Sequence, residues 1–357
     1  MGGDIQGATE LVRDLVEVES PTGHTEGVLA VAERVADAIA PDDVRLEGDH
    51  LLAEVAGEGR PLLVLGHTDT VWPLGTLASM PFRVADDRAY GPGAFDMKGG
   101  LAVLVTAIRT ARKHRPLRVL LTGDEERGSP TARGLIREAA EGVAAALVLE
   151  PPTPHGALKT ARRGLRRFRL VVEGRAAHTG TASDGASAIE ELAHQVIRLR
   201  ALADGDRSLS VNVGVVQGGI RENVVADHAE ARVVVRVADA GGSRRLDEAL
   251  AALDPAVDGT RIRIEEGEGR PPLERSAGAA ALFAKAYEHG RALGLDLRET
   301  ASGGGSDGNL VGALGVPVLD GLGAEGGGAH ARGEHVRLSS IPVRARLLAR
   351  LLEEPGV

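Results

Sequence analysis

The sequence predicts an α/β protein with a second, β-rich domain inserted into the first. Three observations predict it. Apolar runs of strand length at residues 62–65, 117–121, 145–149 and 316–319 alternate with helical patterns, as buried parallel strands do. Between about residues 160 and 269 the rhythm changes to β-α-β-β-α-β, the ferredoxin-like order. Turn-forming punctuation flanks that stretch, with Pro151-Pro152-Thr153-Pro154 before it and Gly267 to Pro272 after it.

The elements follow in order. Residues 8–18 carry an amphipathic helical pattern that Ser20-Pro21-Thr22-Gly23 stops, and 26–39 reads as a second helix. Short strands are expected at 44–46 and 51–55. A helix over 97–112 lies between the buried strands at 62–65 and 117–121. In the inserted stretch, 165–173 alternates as a half-exposed strand and 186–203 is helical. Strands follow at 209–216 and 229–237, a helix at 244–253, and a strand at 260–265. The chain returns through a helix at 277–293, the strand at 316–319 and a last helix after Ser339-Ser340-Ile341-Pro342. The expected division is 1–159 and 270–357 for the first domain and 160–269 for the insertion.

Composition narrows the function. The chain has 357 residues, 43% hydrophobic and 26% charged, so it can bury a large core without disulfides. A net charge of −9 argues against a general nucleic-acid binder, which needs a basic face. Aromatics are scarce (Phe 4, Tyr 2, Trp 1), which disfavours stacking platforms. There is no cysteine, so thiolate metal sites, iron–sulfur clusters and a cysteine nucleophile are excluded. Any metal must be held by His and carboxylates. No apolar run approaches the ~20 residues of a membrane span. The first residues lack a basic stretch followed by an apolar one, and Gln6 stands where a myristoylation pattern needs Ser or Thr. The expectation is a cytoplasmic protein with no membrane partner; a chain trimmed of its leader would read the same.

The chemistry gathers where the buried strands end. The run at 62–65 leads into Gly66-His67-Thr68-Asp69, and that at 117–121 into Thr122-Gly123-Asp124-Glu125-Glu126. The run at 145–149 leads into Glu150, and that at 316–319 through a glycine-rich loop to His330. In an open α/β sheet the working site lies outside the carboxyl ends of the strands. Asp96, in Gly91-Pro92-Gly93-Ala94-Phe95-Asp96, adds a carboxylate just before a helix. Each of these residues alone is ordinary: a loop histidine, a solvated acid pair, a helix cap. Together, two His and several carboxylates without a thiol describe a metal site, zinc first. Asp69, two residues from His67, can bond the imidazole nitrogen that does not bind metal. Glu125 and Glu126 are adjacent and point apart, so one can bind metal while the other acts as general base.

These segments resemble the signature blocks of one family. They are Gly66-His67-Thr68-Asp69-Thr70-Val71, Gly91 to Gly100, Asp124-Glu125-Glu126-Arg127-Gly128-Ser129 and Leu149-Glu150-Pro151. The family is that of the dinuclear zinc hydrolases holding glutamate carboxypeptidase, aminoacylase and succinyl-diaminopimelate desuccinylase. Asp124 to Ser129 and Gly303-Gly304-Gly305-Ser306-Asp307 are most similar to the folate-cleaving glutamate carboxypeptidases. The resemblance implies a mixed-sheet zinc-exopeptidase catalytic domain with an inserted ferredoxin-like domain that serves as lid and homodimer interface. It implies two Zn²⁺ per chain, with Co²⁺ or Mn²⁺ as substitutes. His67 and Glu150 would complete one ion and Glu126 and His330 the other, Asp96 would bridge the two, and its bond to Met97 would be cis. Glu125 would be the general base and Asp69 would orient His67. His178, in Gly174-Arg175-Ala176-Ala177-His178, would cross the dimer to polarise the scissile carbonyl. Asn223 would contact substrate, and Arg236 and Arg270 would hold its free carboxylate. Ala226 departs from the family's usual proline.

The function so implied is zinc-dependent hydrolysis of an amide bond to a free amino acid. The substrate would be a small peptide or N-acyl amino acid. An N-acyl amino acid deacylase would carry the same ligands. A non-catalytic metal- or peptide-binding homologue is a third reading, which loss of Glu125 or a ligand would favour; none is lost. A phosphate site at Gly303-Gly304-Gly305-Ser306 lacks the lysine a P-loop needs. Lys159, Arg162 and Arg163 are expected to belong to a solvated basic run with Arg166 and Arg167, or else to read an acidic substrate side chain.

Overall fold

The computed structural model describes residues 2–357, with side chains from residue 5 onward. The chain forms two compact units. The first holds the chain up to Ala161 together with Glu274–Ser302 and Ser306–Val357; the second holds Arg162–Leu273 and Gly303–Gly305.

The first unit is built on a six-stranded mixed sheet. In spatial order its strands are Asp43–Glu47, His50–Val55, Leu117–Thr122, Leu62–His67, Ala145–Val148 and Val318–Leu319. The last four run parallel to one another, and the first two pair antiparallel. The apolar runs are therefore central strands: Leu62, Leu63, Val64 and Leu65 are all at most 1% exposed. Helices Gly2–Val16, Thr25–Ile39, Gly99–Thr110, Ala277–Arg291 and Ser340–Glu353 contribute to the core. The helix Gly99–Thr110 is apolar nearly all round, with Leu101 to Val105 fully buried, as a central helix must be. Its second residue has to be glycine. A Cβ on Gly100 would lie 2.2 Å from the carbonyl oxygen of Leu149, the residue that presents Glu150.

The strand expected at 316–319 is reduced to Val318–Leu319. A small sheet absent from the sequence reading joins Gly326–Gly327, His335–Arg337, Arg88–Tyr90 and Arg83–Ala85. It ties the glycine-rich loop that follows Leu319 to the segment before Asp96.

The second unit is an antiparallel sheet in the order Leu209–Gly218, His228–Val237, Gly164–Glu173, Arg261–Glu266. Helices Ala188–Ala201 and Ala240–Ala251 complete the β-α-β-β-α-β order. Phe168, Leu170 and Val172 alternate inward from one strand and pack with Val233, Val235, Leu192, Leu199 and Leu246. The second helix starts earlier than the sequence suggested, because the Asp239 carboxylate accepts from the Gly242 N–H at 2.7 Å and caps it.

Candidate metal centre

Each parallel strand delivers one part of the cluster. His67 is the last residue of its strand, and its side chain is 2% exposed. Glu125 and Glu126 occupy a single 3₁₀ turn, Glu125–Arg127, just past Thr122. Glu150 follows Leu149, and both are buried. Asp96 lies in the turn that opens at Gly93 (φ 71°), and its peptide bond to Met97 is cis. His330 sits in the left-handed region at φ 59°, uncommon for a residue with a bulky side chain.

The donor atoms converge. His67 Nε2 lies 3.2 Å from Asp96 Oδ1 and 3.6 Å from Glu150 Oε1. His330 Nε2 lies 3.5 Å from Asp96 Oδ2 and 3.1 Å from Glu126 Oε1. Asp96 thus faces one imidazole with each of its oxygens. A tetrahedral ion bound about 2.0–2.1 Å from each ligand atom would hold neighbouring ligand atoms about 3.3–3.4 Å apart. The observed pairs cluster around that spacing, so the donor set fits a metal on each side of Asp96. Two triads have ligand atoms within 4.8 Å of one another: His67 with Glu125 and Glu150, and His67 with Asp96 and Glu126. Glu125 is therefore close enough to act on anything bound at His67 and Glu150.

The imidazole tautomer is set from behind. Nδ1 of His67 lies 2.9 Å from the backbone carbonyl of Asp69. A carbonyl only accepts, so Nδ1 carries the proton and Nε2 is left to face Asp96 and Glu150. The Asp69 carboxylate, which the sequence reading named as the partner of this nitrogen, is also in reach, with Oδ1 at 3.3 Å. It has other partners as well. It accepts from the backbone N–H of Glu125 at 3.1 Å and of Glu126 at 3.2 Å, and from the Thr22 hydroxyl at 2.7 Å.

The electrostatics are those of a cation site. Burial opposes charge on His67, yet bonds with Asp69 and Asp96 hold its pKa well above the ordinary value. Asp96 and Glu126 raise His330 to about 10. Burial alone would raise Asp96, but His330 and His67 hold it low. Four carboxylates face two imidazoles, and even with both rings charged an excess of negative charge remains for a divalent ion to neutralise.

Sequence reasoning missed Glu334. It is fully buried, and its carboxylate accepts from the backbone N–H of Gly93 (3.1 Å), Phe95 (3.1 Å) and Asp96 (3.0 Å) and from the Trp72 indole (2.7 Å). Burial raises its pKa, and these bonds oppose the rise. Lys98 is buried nearby in charge terms: desolvation pulls it down to about 7 against the charges of Glu334 and Glu19. A lone acid in a polar loop carries no sequence signal; only the fold brings Glu334 under the Asp96 turn.

In the second unit, the four remaining residues form two pairs. His178 is exposed and its Nδ1 accepts from the Gly180 N–H at 3.0 Å; it bridges Val224, next to Asn223. Arg236 lies opposite Leu165 in the sheet, and Leu165 lies opposite Arg270. Arg167 is lowered by burial and then by the charges of Arg236 and Arg270, so three guanidinium groups share one neighbourhood. The basic run is not uniformly solvated as expected. Arg162 is 3% exposed and donates to the carbonyls of Gly304 and Gly305, both at 3.1 Å, whereas Arg166 pairs with Asp247 and Glu266.

A partly buried imidazole–carboxylate cluster at the strand ends has the donor set of a metal-dependent hydrolase. Comparison with known proteins places it more closely. The model of peptidase family M20/M25/M40 matches residues 63–354. Carboxypeptidase G2 of Pseudomonas sp. (strain RS-16) is 30% identical, over 96% of this chain and 88% of its own. A succinyl-diaminopimelate desuccinylase of Beijerinckia indica subsp. indica is 30% identical over 97% of this chain and 98% of its own. The solved structure of a tripeptidase from Staphylococcus aureus subsp. aureus Mu50 superposes with a TM-score of 0.81, covering 99% of this chain and 98% of that one at 22% identity. The chain belongs to peptidase family M20/M25/M40, and it is a metallohydrolase acting on amide bonds. Among the described residues no helix is long and apolar enough to cross a membrane.

Proposed function

We propose that this protein is a dinuclear zinc carboxypeptidase that releases a C-terminal amino acid from a small peptide or N-acyl conjugate. The observation that carries the proposal is Asp96, whose two oxygens face His67 and His330 at 3.2 and 3.5 Å. His67 and Glu150 would hold one zinc, Glu126 and His330 the other, and Asp96 both. Zinc bound there supplies positive charge that acidifies water and polarises the scissile carbonyl. Glu125 takes the proton of the attacking water and returns it to the leaving amine. Asp69 fixes the Glu125 turn through its backbone N–H. Arg236 and Arg270 read the carboxylate of the released amino acid in fork geometry, which favours terminal over internal amide bonds. Asn223 contacts substrate, and His178 of the partner subunit stabilises the developing oxyanion.

A homodimer through the second unit is part of the proposal. Its edge strand Leu209–Gly218 exposes Val215 (41%) and Val216 (59%), with Ile220 (79%) just beyond. Ile189 (48%) of the neighbouring helix sits against Gly218 and Gly219. An unpaired apolar edge of this kind suits strand pairing with a second copy. A cytoplasmic location completes the reading, and cell fractionation tests it.

A second reading, an N-acyl amino acid deacylase, is favoured by the desuccinylase relatives at 30% identity. One experiment separates them. Zinc-loaded enzyme is given dipeptides and N-acyl amino acids ending in glutamate, aspartate, arginine or leucine, and amine release is measured with and without chelator. Carboxypeptidase action predicts release from peptidyl substrates; release confined to simple acyl conjugates selects the deacylase. Chelator-insensitive hydrolysis overturns both.

A further inference from the structure

The glycine-rich motif Gly303-Gly304-Gly305-Ser306-Asp307 takes no part in the reaction proposed above. We infer that its last residue, Asp307, is a positioning residue that latches the turn carrying Glu125 and Glu126. The inference rests on the amide-hydrolase reading for the roles of those two acids and adds the group that holds them in place.

Glu125 and Glu126 ride on a short loop between the strand Leu117–Thr122 and the helix Arg133–Ala139. Backbone bonds close the loop on itself. The Asp124 carbonyl accepts from the N–H groups of Arg127 (3.2 Å) and Ser129 (2.9 Å), and the Glu125 carbonyl from that of Gly128 (2.8 Å). The closure takes Gly128 and Ser129 to positive φ, at 99° and 57°. Glycine reaches that region freely, whereas serine does so uncommonly. Such a conformation persists where the surrounding structure fixes it.

Asp307 supplies that anchor. Its Oδ2 accepts from the Thr122 hydroxyl at 2.8 Å, and its Oδ1 accepts from the Ser129 hydroxyl. Thr122 leads into the loop and Ser129 leads out, so one carboxylate ties the two ends of the segment together. Thr122 and Ser129 are fully buried, and Asp307 is 4% exposed. Bonds made there are not readily exchanged for water, so a carboxylate that accepts from both hydroxyls fixes their separation. Thr122 also lies opposite His67 in the sheet, and the same latch therefore reaches the strand end that presents His67. Asp69 holds the top of the loop through the Glu125 and Glu126 N–H groups, and Asp307 holds its base.

The preceding serine places Asp307. The Ser306 hydroxyl accepts from the Gly308 N–H at 3.1 Å and donates to Asp320 at 2.6 Å, while the Ser306 N–H donates to the Asn309 side chain at 2.9 Å. The helix Asp307–Gly312 thus starts from a fixed point, with the latch at its first residue.

The test compares Asp307→Ala, Asp307→Asn and Ser129→Ala with the wild-type chain. Steady-state rates are measured at saturating zinc on the dipeptide or N-acyl substrate that the wild-type chain cleaves fastest. Zinc affinity is measured by competition with a chromophoric chelator. Asp307→Ala is expected to lose about 10–100-fold in kcat with KM little changed, because the base is displaced while the contacts to substrate are kept. Asp307→Asn retains one acceptor oxygen and should recover part of the loss. Ser129→Ala leaves the Thr122 bond and should show a smaller loss of the same kind. In Asp307→Ala the ion that Glu126 would hold should bind about 10–100-fold more weakly, while the other ion keeps its affinity. A side chain that serves stability alone would lower the melting temperature and leave kcat, KM and both affinities unchanged, and that result overturns the inference. If Asp307→Ala does not fold, Asp307→Asn and Ser129→Ala decide by the same readouts. If the wild-type chain cleaves no substrate, the assigned reaction has failed, and zinc competition decides the latch. Weakening of one ion in Asp307→Asn supports it, and two unchanged affinities overturn it.

Discussion

The carboxylate of Glu334 accepts the backbone N–H of Asp96 at 3.0 Å, and it holds the Phe95 and Gly93 N–H groups as well. The turn that aims Asp96 at both imidazoles is therefore fastened by an acid 238 residues further along the chain. Groups that orient a ligand without touching metal typically contribute about 10–100-fold to metal affinity. Glu334→Ala is expected to weaken zinc binding by about that factor while circular dichroism shows the helices retained. Glu334→Gln keeps one acceptor oxygen and should lose less. Competition with a chromophoric chelator measures both; unchanged affinity in Glu334→Ala would show that the turn holds itself.

Asp69 stands in the same relation to Glu125. Its carboxylate accepts from the Glu125 and Glu126 N–H groups, and an amide in its place would turn a donor toward one of them. Asp69→Asn is expected to lower kcat more than it raises KM, because the proton carrier is displaced rather than removed. Glu125→Gln should keep both metals and lose about 10²–10⁴-fold in turnover. Metal analysis beside steady-state rates checks the pair. Full hydrolysis by Glu125→Gln would sink the assignment of the base.

The strand ends were legible because the buried parallel strands are mostly apolar, so the polar residues just beyond each run stand out. His67, Glu125, Glu126 and Glu150 were visible in that way. His330 was harder, since its strand shrinks to Val318–Leu319 and glycines fill half of the interval. Strands of two or three residues, such as Gly326–Gly327 and Arg83–Ala85, show no period at all. The helix Ala240–Ala251 begins before the expected 244 because the Asp239 cap offsets the low helix propensity of Gly241 and Gly242. Spacing placed the Asp69 carboxylate beside His67, where it lies; what spacing did not show is that the Asp69 carbonyl comes nearer still to the same ring nitrogen.

The apolar edge of the second unit makes a separate prediction. Val216 and Ile220 are 59% and 79% exposed, on and just beyond the edge strand. A homodimer that pairs these edges should be broken by Val216→Lys with Ile220→Asp, charges that are tolerated in water and costly when buried. Sedimentation velocity is expected to show a dimer for the wild-type chain and a monomer for the double variant. If His178 of the partner subunit completes the site, the monomer should also lose kcat in proportion to the fraction dissociated. A wild-type chain that stays monomeric at all concentrations removes the interface and the His178 assignment together.

Metal uptake should release protons. His330 is raised to about 10, and His67 stands well above its ordinary value, because carboxylates surround both rings. In the metal-free protein at neutral pH the His330 ring is then protonated and the surroundings of His67 favour its charged form, while a divalent ion binds only the neutral ring. The sign follows: protons compete with metal below the raised pKa values, so affinity climbs as pH rises and levels off only near about 10, where His330 is neutral without help. Zinc added to metal-free protein in weakly buffered solution at pH ~7 should release up to about two protons per chain. Affinity measured by competition should rise with each step from pH ~6 to ~8. In Glu126→Gln one of the two carboxylates that raise His330 is gone, so proton release per zinc should fall along with affinity. Uptake without proton release, or affinity flat across that range, would place the metal away from these two rings.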